Sequence, residues 1–162
     1  MSPAANANGN NYANFTFSVQ DAAGAFDPTP NTFAINVTPL DDTPGAADDR
    51  AVTPEDQPVL IDVLKNDTDI DGDVLTITEI NGQPVTTGVP ITLKDADGVT
   101  IGSVTLTPEG KLNFIPALNY NGPVDFTYTV TDGRTPVQAN VHVDVLPQND
   151  QPDAVDDNAT VV

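Results

Sequence analysis

The chain has 162 residues, enough for one or two domains, and its 24 acidic and 5 basic side chains give a formal charge of −19. This charge makes nucleic acid and anionic membranes poor partners, because both require basic patches on the protein, and neither nucleic-acid binding nor membrane insertion is expected. The lack of cysteine excludes disulfides, thiolate metal sites and thiol catalysis, and no apolar run has the length of a transmembrane helix. Aspartate outnumbers glutamate by 21 to 3, a bias typical of turns and loops.

The two ends of the chain carry similar segments. FTFSVQD at 15–21 aligns with FTYTVTD at 126–132, and FAINVTPLDDTPGAADD at 33–49 aligns with VHVDVLPQNDQPDAVDD at 141–157. The second alignment has a slightly shorter offset than the first. The difference falls in the loop between the paired strands, where a change of length costs little free energy. The repeat has a period of about 108 residues, which is the length of one domain and predicts a tandem array.

This repeat predicts how the chain is divided. Residues 1–44 are expected to be the C-terminal strands of a preceding, incomplete repeat. Residues 45–150 are expected to be one complete repeat, and residues 151–162 the start of the next. The incomplete pieces should leave unpaired strand edges unless another segment covers them.

The complete repeat predicts seven or eight short strands separated by turns rich in Pro, Gly and Asp. In chain order the strands are expected at 49–53, 59–64, 74–80, 90–93, 99–106, 111–115, 126–131 and 139–145. Apolar residues alternate most clearly in the last pair, at Phe126, Tyr128, Val130, Val141, Val143 and Val145. Turn signals recur about every 8–12 residues, which indicates an all-β fold, an immunoglobulin-like antiparallel β-sandwich.

The stretch NDTDIDGD at 66–73 places Asp67, Asp69, Asp71 and Asp73 at alternate positions. At an effective dielectric constant of about 20, two like charges about 4 Å apart repel by roughly 4 kcal/mol. Such a loop therefore either opens into water or binds a hard cation, and calcium fits because it takes about six to eight oxygen ligands in flexible geometry. The loop is not an EF-hand, since Thr78 stands where a bidentate Glu is required and the following residues alternate like a strand.

Three long segments carry a family resemblance: the stretch from ADD to VLTIT at 47–78, NYNGPVDFTYTVTDG at 119–133 and DVLPQNDQP at 144–152. In this order they resemble the cadherin-like tandem repeats of large bacterial surface proteins, the kind found in calcium-dependent RTX-type adhesins secreted by type I systems. The resemblance implies a β-sandwich, extracellular exposure at the bacterial cell surface, and calcium that stiffens the junctions between repeats. The glycine-rich nonapeptide repeats of such proteins are missing from the sequence, which implies an extender or ligand-region segment.

The topology of a sandwich predicts that the acidic segments meet at its two ends. One end collects the incoming linker, the 66–73 loop and the turn between the last two strands. The opposite end collects the turn after the first strand, the start of a late strand and the outgoing linker, although Glu55 could serve turn chemistry alone. The predicted calcium ligands are Asp41, Asp42, Glu55, Asp67, Asp69, Asp71, Asp73, Asp125, Asp132, Asn149 and Asp150.

Other polar and aromatic residues are predicted to be structural. Asp95 and Asp97 are expected to form a β-turn, Asp62 and Asp144 to face solvent, and His142 to be an exposed strand residue. The aromatic residues expected in the core, rather than in a carbohydrate platform, are Phe114, Tyr120 and Phe126.

The sequence does not predict an enzyme. Glycosidases use paired carboxylates, usually beside aromatic sugar platforms, and this chain has no Trp and 6% aromatic residues. The favoured function is a calcium-rigidified extender of a secreted surface adhesin, a monomer that contacts neighbouring repeats of its own chain and supports cell adhesion or biofilm attachment. Two alternatives stay open: a ligand-binding module of such an adhesin, contacting a sugar, a peptide or another cell, and an accessory domain of a secreted polysaccharide-degrading enzyme.

Overall fold

A computed structural model describes residues 2–149 of the chain. The chain divides into two compact units, Met1–Asp42 and Thr43–Val162. In the first unit, β1 (Gly9–Phe17) pairs antiparallel with β2 (Asn31–Val37). The second unit contains the other described strands: β3 (Asp49–Pro54), β4 (Val59–Ile61), β5 (Thr76–Ile80), β6 (Gln83–Pro84), β7 (Pro90–Lys94), β8 (Thr100–Leu106), β9 (Leu112–Pro116), β10 (Gly122–Thr131) and β11 (Pro136–Leu146).

The second unit is an immunoglobulin-like sandwich of two sheets. One sheet has the strand order β3-β11-β10-β5-β6, and the other has the order β4-β9-β8-β7. Neighbouring strands are antiparallel except β3 and β11, which run parallel and pair Asp49 with Val141 at one end and Pro54 with Leu146 at the other. The first and last described strands of the unit therefore lie side by side in the same sheet.

Alternating apolar residues fill the space between the sheets, as the sequence predicted. The buried side chains of β10 and β11 include Val124, Phe126, Tyr128, Val130, Val141, Val143 and Val145. The facing sheet buries Ile91, Leu93, Val104, Leu112 and Phe114. The rings of Phe114 and Phe126 stack with their centroids 6.4 Å apart, and Tyr120 packs against this core from a partly buried position. The predicted core role of these three aromatic residues is confirmed.

Apart from shifts of one to three residues at other strand ends, the observed strands differ from the predicted ones in three places. The segment predicted as a strand over 59–64 pairs only over Val59–Ile61, because a turn of 3-10 helix occupies Val63–Lys65. β10 begins at Gly122 rather than at residue 126, since its first residues still pair with the end of β11. β6 was not predicted. It pairs with β5 through a tight turn at Asn81 and Gly82, whose φ angles of 48° and 70° suit an Asn-Gly hairpin.

The hairpins of the two units share one register from Ala13 to Phe17, whereas the register of the first hairpin shifts between Gly9 and Ala13. In the first unit Phe15 pairs with Phe33, and in the second Phe126 pairs with Val141. The sequence alignment of the two chain ends matches these same residues, Phe15 with Phe126 and Phe33 with Val141. The loop of the first hairpin is longer and is closed by a bridge between Gln20 and Phe26. The boundary between the units, after Asp42, falls close to the boundary expected from the repeat.

The predicted turn between β7 and β8 is confirmed. Asp95 Oδ1 accepts hydrogen bonds from the N–H groups of Asp97 and Val99 at 3.0 and 2.8 Å, which closes the turn. Asp62 and Asp144 are exposed, as predicted. Asp62 lies 2.8 Å from the ammonium of Lys111, the residue directly before β9.

Candidate metal centre

The first aspartate of the acidic loop is buried inside the sandwich. Asp67 is 9% exposed, and both of its carboxylate oxygens lie 3.0 Å from the Tyr128 hydroxyl on β10. The N–H of Ala47 donates to Asp67 Oδ1 at 2.8 Å. Burial, followed by the hydrogen bond and charge of Asp67, raises the pKa of the Tyr128 hydroxyl. Asp67 therefore ties the acidic loop to the core and to the segment that precedes β3.

Asp69 shapes the next turn of the loop. Its Oδ1 accepts hydrogen bonds from the N–H groups of Asp71 and Asp73 at 2.9 and 3.1 Å. Gly72 has a φ of 80°, which lets the chain reverse there without the strain that a side chain would add. Asp69 Oδ2 is buried and has no hydrogen-bond partner among residues 2–149. One oxygen of this carboxylate is therefore used by the turn, and the other has no hydrogen-bond partner among the described residues.

Asp132 stands at the start of the loop between β10 and β11. Its Oδ1 accepts from the N–H groups of Arg134 and Thr135, and these bonds, that of Thr135 first, lower the pKa of Asp132. Within the described part of the chain, its Oδ2 is also buried without a partner. Thr131 pairs with Thr76, so this loop and the acidic loop lie at the same end of the sheet. The predicted meeting of these two segments is thus observed in the strand pairing.

Asp49, the first residue of β3, was not among the predicted ligands. Burial raises its pKa to about 6, and the negative charge of Asp67 adds to the shift, while hydrogen bonds to Tyr128 and Asn66 oppose it. Its Oδ2 is buried and receives no hydrogen bond from any described residue. Asp49 is therefore a second carboxylate beside Tyr128. The sequence feature that could have indicated Asp49 was its position in the ADD motif, directly after the incoming linker.

At the opposite end, Glu55 connects three segments. It is buried, and its two carboxylate oxygens accept from the backbone N–H of Gln148 and from the side-chain amide of Asn121. Asp56 Oδ1 accepts from the N–H of Asn119 at 2.9 Å. These bonds join the β3–β4 turn to the segments before β10 and after β11. These contacts are hydrogen bonds that hold turns and loops together, which is the alternative role that the sequence left open for Glu55.

Asp125 lies within β10 rather than at the start of a strand. On the outer face of the five-stranded sheet, its Oδ1 is 2.6 Å from Nδ1 of His142, and Asp144 Oδ1 is 3.2 Å from Nε2. Asp125 first, and Asp144 second, raise the pKa of His142 against the opposing effect of desolvation. The histidine is a partly exposed strand residue, close to its predicted setting. It borders a shallow cavity of about 320 Å³ that Asp48, Arg50 and Asn140 also line.

Comparison with known families agrees with this architecture. Residues 41–144 match the family model described as a bacterial Ig domain. The chain belongs to the bacterial Ig domain family. No curated protein matches the chain. Bacterial Ig domains are structural, non-catalytic domains that are typically extracellular or on the cell surface. In the described part of this bacterial Ig domain, no helix is long and apolar enough to span a membrane.

The predicted ligands of this bacterial Ig domain lie in separate groups. Within residues 2–149, no three His, Asp or Glu side chains converge closely enough to hold a metal ion. Asp41 and Asp42 belong to the first unit. The exposed predicted ligands are Asp71, Asp73, Asp125 and Asn149. Asp150 lies outside the described residues.

Proposed function

We propose that this bacterial Ig domain is a calcium-rigidified extender of a large, secreted cell-surface adhesin of the cadherin-like, RTX type. The repeated hairpin carries the extender role: the pair Phe15–Phe33 and the pair Phe126–Val141 hold the same place in successive units. Repetition of one structural element in one chain is what a tandem array requires. The partners of the domain are then the neighbouring repeats of its own chain, with adhesion to a sugar, a host or another cell carried by other domains.

Three buried carboxylate oxygens support the calcium part of the proposal. Oδ2 of Asp49, Oδ2 of Asp69 and Oδ2 of Asp132 each lack a hydrogen-bond partner among the described residues. A buried charged oxygen without a partner is unfavourable, and a bound cation would remove that penalty. The donors are all hard oxygens, which suit calcium better than a transition metal.

The residues that would hold calcium come from two loops and a linker. Asp69 and Asp132 supply the buried oxygens, while Asp71 and Asp73 supply exposed carboxylates beside them. Because no three of these side chains already form a metal cluster within residues 2–149, the carboxylates would have to converge as the ion binds. Linker residues at both ends of the unit would complete such sites: Asp41 and Asp42 before it, and Asn149 and Asp150 after it.

A melting experiment with a matched pair of variants tests this function. The chain is unfolded by heat in a chelator and in about 10 mM calcium, roughly a hundredfold excess over a dissociation constant near 10⁻⁴ M. Binding at that excess stabilises the folded state by about 2.7 kcal/mol, so the melting temperature should rise. Magnesium should have a smaller effect, because it keeps its waters and demands a tighter octahedron.

The double variant Asp69→Asn with Asp132→Asn keeps both Oδ1 acceptors but removes both charges, and it should lose most of the calcium response. The control is Asp95→Asn with Asp97→Asn, because Asp95 forms the same kind of turn as Asp69, to the N–H groups two and four residues ahead. The control should respond like the unmodified chain. An equal response in both variants, or none in the unmodified chain, contradicts calcium binding at this end.

A further inference from the structure

The β1–β2 hairpin has one apolar face and one polar face. Its apolar side chains lie on one side, at Ala13, Phe15, Phe17, Phe33 and Ile35, while residues such as Asn14, Thr16 and Thr32 lie on the other. This alternation is typical of a sheet that buries one face against a core. Yet the side chain of Phe15 is 52% exposed and that of Phe33 is 53% exposed. Exposed aromatic residues in such a contiguous patch mark a surface that another element covers.

The β10–β11 hairpin of the second unit corresponds to the β1–β2 hairpin and shows which element packs on its apolar face. The glycine that begins each hairpin, Gly9 or Gly122, pairs with a valine of the partner strand and has a positive φ, 138° in one and 131° in the other. Further along, Phe15 and Phe33 correspond to Phe126 and Val141. From Ala13 to Phe17 and from Asn31 to Ile35, each inner residue of the first hairpin therefore has a counterpart in the second.

The counterparts are buried. Phe126 is 3% exposed and Val141 is 0% exposed. The ring of Phe126 stacks on Phe114 of β9, in the facing sheet. The layer that buries this face in the second unit is thus the four-stranded sheet β4-β9-β8-β7.

We infer that the apolar face of the β1–β2 hairpin is an interaction surface whose partner is a four-stranded antiparallel sheet equivalent to β4-β9-β8-β7. In the second unit, the strands of that sheet precede β10 along the chain. The partner is accordingly a segment on the N-terminal side of Gly9, with the strand pattern of residues 45–121. Two sheets packed face to face lie about 10 Å apart, so this segment would complete a second sandwich. The inference rests on the tandem-array part of the proposed function and is independent of calcium.

One position indicates how the completed sandwich differs from the second unit. The counterpart of Tyr128 is Phe17, which has no hydroxyl group. In the second unit this hydroxyl reaches the buried Asp67. The partner segment of the first hairpin therefore cannot bind its acidic loop through a phenol at this place.

A hybrid chain tests the inference, because residues 45–121 supply the required pattern. They replace residues 1–8 in front of Gly9 and are followed by the whole of residues 9–162. Hydrogen exchange at the amides of β1 and β2 is then compared with exchange in the original chain, with and without calcium. We expect slower exchange in both strands and loss of binding of a fluorescent dye that reports exposed apolar surface.

Two variants of the hybrid chain test separately whether the side chains fit the supplied sheet and whether the apolar face is needed for protection. Phe17→Tyr, Asn31→Ala and Phe33→Val together give the hairpin the inner residues of β10 and β11 at these positions, so this variant should protect the hairpin even if the original side chains fit the supplied sheet poorly. Phe15→Asp with Phe33→Asp should abolish protection. Protection in the unmodified hybrid or in the triple variant supports the inference, whether or not calcium has an effect.

Fast exchange in both of these hybrids, while residues 43–149 stay protected, overturns the inference. A second outcome also overturns it: the original chain forms a dimer in sedimentation velocity that Phe15→Asp with Phe33→Asp dissociates, which would make a second copy the partner. Failure of the calcium response with a protected hairpin contradicts only the calcium part of the proposed function.

Discussion

Tyr128 and Asp67 are 61 residues apart in the sequence, yet the tyrosine hydroxyl lies 3.0 Å from both oxygens of the aspartate inside the sandwich. The same hydroxyl lies 3.1 Å from the carbonyl oxygen of Ala47. The contact joins β10 to the acidic loop and to the segment that leads into β3. The acidic loop is therefore held at its first aspartate by the core, while Asp71 and Asp73 are exposed.

Replacing Tyr128 by Phe should destabilise the second unit without changing its fold. A hydrogen bond to a charged group contributes about 1.5–3 kcal/mol, and Asp67 would remain buried without its phenol donor. Urea unfolding, followed by circular dichroism, measures the free energy of unfolding. The matched control is Tyr120→Phe, whose hydroxyl donates to the Pro123 carbonyl oxygen at an exposed site and should cost about 1 kcal/mol or less. Equal losses in both variants would contradict a special role for the Tyr128–Asp67 contact.

The raised pKa of Asp49 predicts a pH dependence. Its pKa is about 6 in the folded chain and about 3.9 in an unfolded one, so the folded state binds the proton more tightly. Its contribution to stability is therefore fully present below about pH 4 and is lost as the pH rises through 6. Asp49→Asn should gain stability relative to the unmodified chain as the pH rises between these values, in urea unfolding with a chelator present. Asp48→Asn is the control, since hydrogen bonds from Asn140 lower the pKa of Asp48 and its own dependence lies at lower pH.

His142 should titrate above the ordinary histidine value of about 6.5, because Asp125 and Asp144 favour its protonated form. Stability from this pair is present below the unfolded pKa and is lost as the pH rises through the higher folded one. The chain has a single histidine, so NMR titration of its ring protons reports this group alone. Asp125→Asn should lower the measured pKa, whereas Asp62→Asn, directly after β4 of the other sheet, should leave it unchanged. A pKa of about 6.5 or lower in the unmodified chain would contradict the observed pairing.

Calcium should alter the shape of an array more than the fold of each domain. The test uses a chain of two successive copies of residues 41–148. Without calcium, repulsion between the carboxylates of the linker and those of the acidic loop should keep the junction mobile. Physiological salt screens this repulsion only in part. With calcium, small-angle X-ray scattering should give a larger maximum dimension and a narrower spread of conformers. Asp41→Asn with Asp42→Asn in both copies should weaken this change. Identical scattering with and without calcium would leave the extender role but remove its proposed mechanism.

Much of the fold was predictable because its signals are local. Alternation in Phe126, Tyr128 and Val130 predicted the inner face of β10, and the aligned segments at the two chain ends correspond to paired strands in both hairpins. β6 was missed because it has only two residues, Gln83–Pro84, although Asn81 and Gly82 carry a hairpin signal. The bend after Val59–Ile61 was missed because apolar residues continue into the 3-10 helix.

The candidate site was less predictable, because burial and hydrogen bonds in three dimensions decide what each carboxylate does. The spacing of the aspartates does not distinguish the role of Asp67 from that of Asp69. In the structure Asp67 contacts the Tyr128 hydroxyl, whereas Asp69 accepts a backbone hydrogen bond that closes a turn. Asp49 lies outside the acidic loop in the sequence, and only folding brings it beside the same phenol as Asp67. Glu55 was placed at the correct end, but its bonds to the segments around it follow from side-chain geometry that no sequence pattern shows.

The parallel pairing of β3 and β11 has a mechanical consequence. A chain under tension is pulled at Asp49, where β3 begins, and at Leu146, where β11 ends, and these residues lie at opposite ends of the paired strands. The force therefore acts along the strands and tries to slide one past the other, so the backbone bonds between them are loaded in shear and must rupture together. In two antiparallel neighbours pulled from the same end, the backbone hydrogen bonds would instead break one after another. The β3–β11 pair, where the chain enters and leaves this domain, should therefore resist unfolding by a stretching force.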